Sequence, residues 1–189
     1  MQTDGIPTES MQALDRLEEI LWVEQARSGD SAAFTRLLSR YERPIIYYLR
    51  RITSDAQAAL DLSQEVWLDV FRGLPRLVAP QAFRVWVFRI AHHKANRLLR
   101  RKQAIEAAEA DVQPEPATEA DPVCSAEELH LALDRLPSGQ REVLTFHYLR
   151  DLSLTEIGAV LDCPVGTVKS RLFHARLALR KLLEKNAYE

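Results

Sequence analysis

Residues 152–182, LSLTEIGAVLDCPVGTVKSRLFHARLALRKL, decide how this chain is read. Ser153-Leu-Thr-Glu156 has capping-box spacing: the serine hydroxyl takes the amide of the third helical residue, and the glutamate reaches back to the cap's own amide. The helix that starts there has an apolar stripe of Ile157, Val160 and Leu161. It ends at Asp162-Cys163-Pro164, because the residue before a proline is pushed out of helical backbone. A second helix begins near Pro164. Val168, Leu172, Ala175 and Leu179 recur in it at helical spacing, which leaves Gly166, Ser170, Phe173 and His174 on the opposite side, flanked by Thr167 and Lys169. Two short helices around a tight turn form a helix-turn-helix pattern. Hydroxyl and basic groups on the second helix suit base edges and phosphates, and an aromatic ring suits a thymine methyl in a major groove. The same face also fits a structural role, with Phe173 packed on a neighbouring helix and the basic groups solvated.

The charge map supports the DNA reading, although the whole-chain sum of −2 hides it. From Arg72 to Lys102 there are nine basic side chains and no acid. From Gln103 to Glu128 there are eight acids and no Lys or Arg, and between Cys163 and Lys185 six basic residues stand against Glu184 alone. Two basic patches separated by an acidic stretch imply two nucleic-acid contacts on one chain.

Residues 104–125 contain Pro114, Pro116 and Pro122 among Ala and acids with little apolar periodicity, so they read as a flexible acidic linker. The expected fold is all-α: a leader over residues 1–20, a first helical domain over 21–103, the linker, and a second small domain with the helix-turn-helix over 126–189. No convincing alternating strand pattern appears. No run of about 18 apolar residues exists and the first ten residues lack a basic start and an apolar centre, so a cytoplasmic protein with no membrane insertion is expected. Cys124 and Cys163 have no CxxC neighbour and read as free thiols. The five histidines lack ligand spacing, and there is no phosphate loop or nucleophile elbow. The sequence therefore predicts no enzyme, no metal and no cofactor.

Within the first domain a helix is expected from about Met11 to Arg27. A second is capped by Asp30, with Ala33, Phe34, Leu37, Leu38 and Tyr41 inward, and a stretch around Pro44 to Ile52 follows with Ile45, Ile46 and Leu49. A third unit, Asp55 to Arg72, buries Ala59, Leu62, Val66 and Val70 and turns Asp61, Gln64, Glu65 and Leu68 outward. After the loop Leu74 to Pro80, a helix from Gln81 to about Lys102 buries Phe83, Trp86, Val87, Ile90 and Leu98. Its other face collects Arg89, His92, His93, Asn96 and Arg100, and Arg and Asn are the side chains that pair with G and A edges.

The chain resembles the extracytoplasmic-function sigma factors, the smallest class of bacterial RNA polymerase specificity subunits in the sigma-70 family. Three blocks carry the likeness: Asp61-Leu-Ser-Gln-Glu-Val-Trp-Leu-Asp-Val-Phe71; Phe83-Arg-Val-Trp-Val-Phe-Arg-Ile-Ala91 with its basic continuation to Arg101; and Leu136-Pro-Ser-Gly-Gln-Arg-Glu-Val-Leu144 leading into Val165-Gly-Thr-Val-Lys-Ser-Arg-Leu-Phe-His-Ala-Arg176. The resemblance implies that the first domain is sigma region 2 and the second is region 4. Asp61, Gln64, Glu65 and Leu68 would dock on the coiled coil of the polymerase's largest subunit, and the flap region of the core polymerase is a further expected contact of the chain. Arg76, Arg84, Arg89, His92, His93, Asn96, Arg97, Arg100 and Arg101 would serve the −10 promoter element, holding an extruded base. Thr167, Lys169, Ser170, Arg171, Phe173, His174 and Arg176 would read the −35 element as duplex. An anti-sigma protein is the expected regulator. His93 stands where many members have Asn and Arg97 where an Asp is usual, which leaves the −10 base preference open.

A flexible tether of about 22 residues spans roughly 25 Å, whereas two elements about two duplex turns apart lie about 70 Å from each other. The polymerase must hold it stretched, and its acids would suit a basic channel there. The residues alone also fit a free-standing helix-turn-helix regulator, which would bind its promoter tightly without polymerase, or an adaptor with incidental basic faces.

Overall fold

The structure is a computed structural model and describes residues 8–108, 131–149 and 152–186. Helix α1 (Thr8–Arg27) ends at Gly29, whose φ of 96° is the left-handed backbone that glycine adopts without strain. It reaches back into the expected leader. Asp30 caps α2 (Ser31–Thr53) by accepting from the amides of Ala32 at 2.8 Å and Ala33 at 3.2 Å. The two apolar stretches on either side of Pro44 form one continuous helix, which forgoes a single ladder donor at the proline. Asp55 caps α3 (Ala56–Gly73) through the amide of Ala58. Two single 3-10 turns, Leu74–Arg76 and Pro80–Ala82, carry the chain to α4 (Phe83–Ala108). Helix α4 continues through residues 104–108, where the linker was expected to begin, and the rest of that segment lies outside the described residues.

A helical turn at 131–134 precedes α5 (Ser138–Leu149), α6 (Leu154–Leu161) and α7 (Val165–Asn186). The all-α expectation holds, with no strand among the described residues. The capping box is formed: the Glu156 amide donates to Ser153 Oγ at 3.2 Å and the Ser153 amide to Glu156 Oε2 at 2.8 Å. Asp162 then turns left-handed at φ 51°, and the Cys163 amide closes back on the Gly158 carbonyl. A Cβ on Gly158 would meet the Cys163 carbonyl oxygen at 2.9 Å, so a turn this tight needs glycine there.

Leu37, Ile45, Leu49, Val66, Val70, Phe83 and Val87 fill the interior of the first module, each such side chain contributing about 1.5–3 kcal/mol. Tyr41 sets its ring edge-on to Phe83 and donates its hydroxyl to Glu19 Oε2 at 2.7 Å, fastening α1 to α2. Burial, then the Glu19 charge, hold that hydroxyl far above the ordinary tyrosine range. Val143, Leu144, Ile157, Val160, Val168, Leu172 and Ala175 fill the second module.

The sequence reading treats the modules as tethered bodies, and it does not foresee that they dock. Helix α6 packs against α4 and α5 against α2. Phe146 of α5 is fully buried, 4.6 Å from the Tyr48 ring and 5.5 Å from Phe88, so the buried side chains of both modules join in one cluster.

Candidate nucleic-acid interface

Three surfaces carry the residues singled out from the sequence. On α3, Asp61, Gln64, Glu65 and Leu68 share one exposed side with Leu60 and Phe71, whose ring is 65% exposed and edge-on to Phe34. Acids beside uncovered apolar groups suit a protein surface better than DNA. Glu65 is also paired with Lys94 of α4 at 3.1 Å, and Asp69 takes the same ammonium at 2.8 Å. Lys94 is therefore spoken for, as is Lys102, which lies 3.6 Å from Asp55. Not every cation of the basic run is available to phosphate.

On α7, Lys169, Ser170, Phe173 and His174 stand exposed on one side, and Phe173 is 60% exposed against the His174 ring. Val168, Leu172 and Ala175 are buried opposite them, as their spacing predicted. The structure thus rejects the alternative in which Phe173 packs on a neighbouring helix. Two of the expected residues are turned elsewhere. The Arg171 guanidinium lies against Gly139 at the start of α5, and Arg176 stacks over the Tyr148 ring at 5.4 Å. Thr167 is half-buried at the first turn of α7.

On and around α4, Arg76, Arg89, His93, Arg97, Arg100 and Arg101 are exposed and Arg84 is half-buried. Partial desolvation, then the neighbouring His92 and Arg89, push His93 below the ordinary histidine range, so near neutrality it offers a neutral ring. His92 departs from the expected open face. It is 7% exposed and lies between the modules, where its Nδ1 is 3.0 Å from Glu142 Oε1 and 3.0 Å from the Tyr48 hydroxyl. The adjacent histidines point to different sides, as a helix requires. Asn96 is half-buried with its amide nitrogen 2.8 Å from His92 Nε2, while the Nδ1 side of the ring faces Glu142. Leu161 and Asp162, at the end of α6, face His92, His93, Asn96, Arg97 and Arg100 across a cleft of about 400 Å³. Residues 92, 93, 96, 97 and 100 are thereby brought together, partly under the second module.

Sequence reasoning missed the residues that join the modules. Tyr48 donates to Glu142 Oε1 at 2.9 Å, Arg51 pairs with Asp134 at 2.7 Å, and Arg141 donates to the Arg51, Asp134 and Leu136 carbonyls. Burial lowers the Arg141 guanidinium from its usual value, yet leaves it a cation. One signal was present: Glu142 lies four residues before Phe146, so an acid shares a helix face with a core aromatic.

Two family models match in succession, Sigma-70 region 2 over residues 37–105 and Sigma-70 region 4 over residues 126–179. The chain is 33% identical over 179 residues to the RNA polymerase sigma-H factor of Pseudomonas aeruginosa, covering 86% of this chain and 92% of that one. To the ECF RNA polymerase sigma-E factor of Escherichia coli K12 it is 31% identical over 181 residues, covering 87% and 94%. Among solved structures it is similar to CnrH in complex with the cytosolic domain of CnrY, with a TM-score of 0.66, 26% identity and coverage of 89% of this chain and 98% of that one. In fold it also matches the sigma factor RpoE from Bartonella quintana, solved with the anti-sigma factor NepR, at a TM-score of 0.70 and 22% identity over 80% and 96% of the two chains. Both region models in order, and two sigma factors matched over 92% and 94% of their length, make this chain an extracytoplasmic-function member of the sigma-70 family, a promoter-specificity subunit of RNA polymerase.

Proposed function

We propose that the chain docks on core RNA polymerase through the exposed α3 side and reads two promoter elements, the −10 element along α4 and the −35 element along α7. The domains divide around the acidic stretch, the first running through the end of α4 at Ala108 and the second over 126–189. The observation that carries this reading is the α7 surface, where an exposed phenylalanine lies among Lys169, Ser170 and His174 on the second helix of a capped helix-turn-helix. A major groove offers base methyls and phosphates to those residue types.

The physical estimates call for the polymerase. About six phosphate neutralisations, at most, lose roughly a thousandfold of affinity between low and physiological salt. Alone, the helix-turn-helix holds its site poorly, and tethering both readers to one polymerase raises their effective concentration at the promoter. The chemistry of RNA synthesis stays with the polymerase, whose compartment, the cytoplasm, we assign to this chain. An anti-sigma protein belongs to the same reading as its regulator.

Run-off transcription with core polymerase tests the assignment. Promoter-specific transcripts are expected when the chain is added, and joint replacement of Asp61, Gln64 and Glu65 by Ala should abolish them. Tight promoter binding by the purified chain without polymerase would instead favour a free-standing regulator.

A further inference from the structure

We propose that Lys94, one of the nine cations of the basic run, is a positioning residue for polymerase docking, holding the Glu65 carboxylate of α3 in the orientation that the polymerase meets. This rests on the assignment of the α3 side to the polymerase. Lys94 lies on α4 one turn from Ile90 and one turn from Leu98, both packed against the core, so it turns toward α3 while Arg89, Arg97, Arg100 and Arg101 stay exposed. Its ammonium bridges two carboxylates of α3, Glu65 Oε2 at 3.1 Å and Asp69 Oδ2 at 2.8 Å, and the side chain is only 20% exposed. Partial burial disfavours the cation, but the hydrogen bonds and charges of Asp69 and Glu65 outweigh it and raise the ammonium above its ordinary value, so it remains charged.

The bridge matters because of the ridge it serves. Asp61, Glu65 and Asp69 follow one another at four-residue spacing, and like charges so placed on a helix repel. Each has an internal donor: Gln57 Nε2 lies 3.0 Å from Asp61 Oδ1, and Lys94 holds the other two. The Glu65 side chain nonetheless stays 58% exposed, so the bridge orients the carboxylate without covering it, and its second oxygen can accept from a partner's donor. An unbridged glutamate loses rotamer freedom when a partner immobilises it, whereas a carboxylate fixed beforehand binds with a smaller loss. Lys94 therefore serves docking through Glu65 and needs no contact with the polymerase itself. The α4 cations divide by side: the exposed arginines face nucleic acid, and Lys94 supports the protein interface.

A double-mutant cycle of Lys94→Met and Glu65→Ala tests it, with fluorescence anisotropy of the labelled full chain titrated with core RNA polymerase. Circular dichroism establishes that each variant stays helical, and if Lys94→Met does not, Lys94→Gln takes its place in the same cycle. Lys94→Met should weaken polymerase binding about fivefold, the order expected of a partly buried ion-pair network. In the Glu65→Ala background the same change should have almost no effect. Loosened packing of α4 on α3 would weaken binding alike in both backgrounds, so equal penalties overturn the positioning role, as does tighter binding by Lys94→Met. Binding of a labelled 12-nucleotide single-stranded DNA should keep its salt slope in Lys94→Met; a slope smaller by about 0.7 makes Lys94 a phosphate contact and overturns the proposal. If Glu65→Ala weakens docking and Lys94→Met does not, the α3 assignment stands and the positioning role alone falls. If Glu65→Ala itself leaves polymerase affinity unchanged, the α3 assignment falls and takes the proposal with it.

Discussion

The α4 and α7 surfaces are written in similar residues and meet opposite fates. Each is one side of a long helix carrying Arg or Lys with histidine, and each lies opposite an apolar stripe. On α7 the histidine, His174, is exposed beside an exposed Phe173. On α4 the corresponding ring, His92, is buried and bonded to Tyr48 and Glu142 of two other helices. The difference does not come from either helix. It comes from what packs above: Glu142, Phe146 and the end of α6 all arrive from the second module. A basic helical face read from sequence therefore says what a surface could hold, and the neighbouring module decides whether it is presented.

That contrast predicts unequal responses to mutation. Phe146→Ala should be the most damaging single change, because the ring is wholly buried between Tyr48 and Phe88; a loss of about 3–5 kcal/mol in a chemical denaturation curve is expected. A loss below about 1 kcal/mol would mean that the docked arrangement contributes little to the folded chain. On the open side, Lys169→Ala should leave the melting temperature unchanged and reduce the salt slope of −35 duplex binding by about one, weakening all sequences alike. If binding is unaffected, α7 presents a different side to DNA.

A smaller effect is expected at the entry to the helix-turn-helix. Ser153→Ala removes the capping-box acceptor and should cost about 1 kcal/mol of unfolding free energy, detectable by thermal melting. Smallest is a pH effect at Asp55, in the first module. The Ala58 amide, then the Lys102 ammonium, hold its carboxyl below the usual carboxylate value. A depressed folded value means that the stabilisation is present above about pH 4, the ordinary aspartate range, and fades as pH falls through the folded value. Melting temperatures between pH 5 and pH 2.5 should fall a little less steeply for Asp55→Asn than for wild type; identical slopes would remove Asp55 from the acid response.

Local grammar was legible wherever a residue's partner lies within one turn of it. Asp30, Asp55 and Ser153 cap helices as their spacing requires, and the stripe of Val168, Leu172 and Ala175 is buried. Boundaries were less so: α4 runs on to Ala108 because Ala104, Glu106, Ala107 and Ala108 are good helix formers, whereas the charge change at Gln103 suggests an earlier end. The interfaces were half legible. The α3 side and most of α7 lie where the residues place them, but Arg171 leans on Gly139 and Arg176 on Tyr148, contacts with α5 that no periodicity within α7 contains.

What the sequence determined by itself is the all-helical grammar, the helix-turn-helix, the two cationic stretches and the family to which they belong, since each depends on interactions within a helix or on residue types at fixed spacing. What only the tertiary structure decided is which of those stretches faces solvent. Tyr48 and Glu142 are 94 residues apart and His92 and Glu142 are 50 apart. Their hydrogen bonds form only after helices from both modules have packed, and burial is a property of that packing, not of the helix that carries the residue.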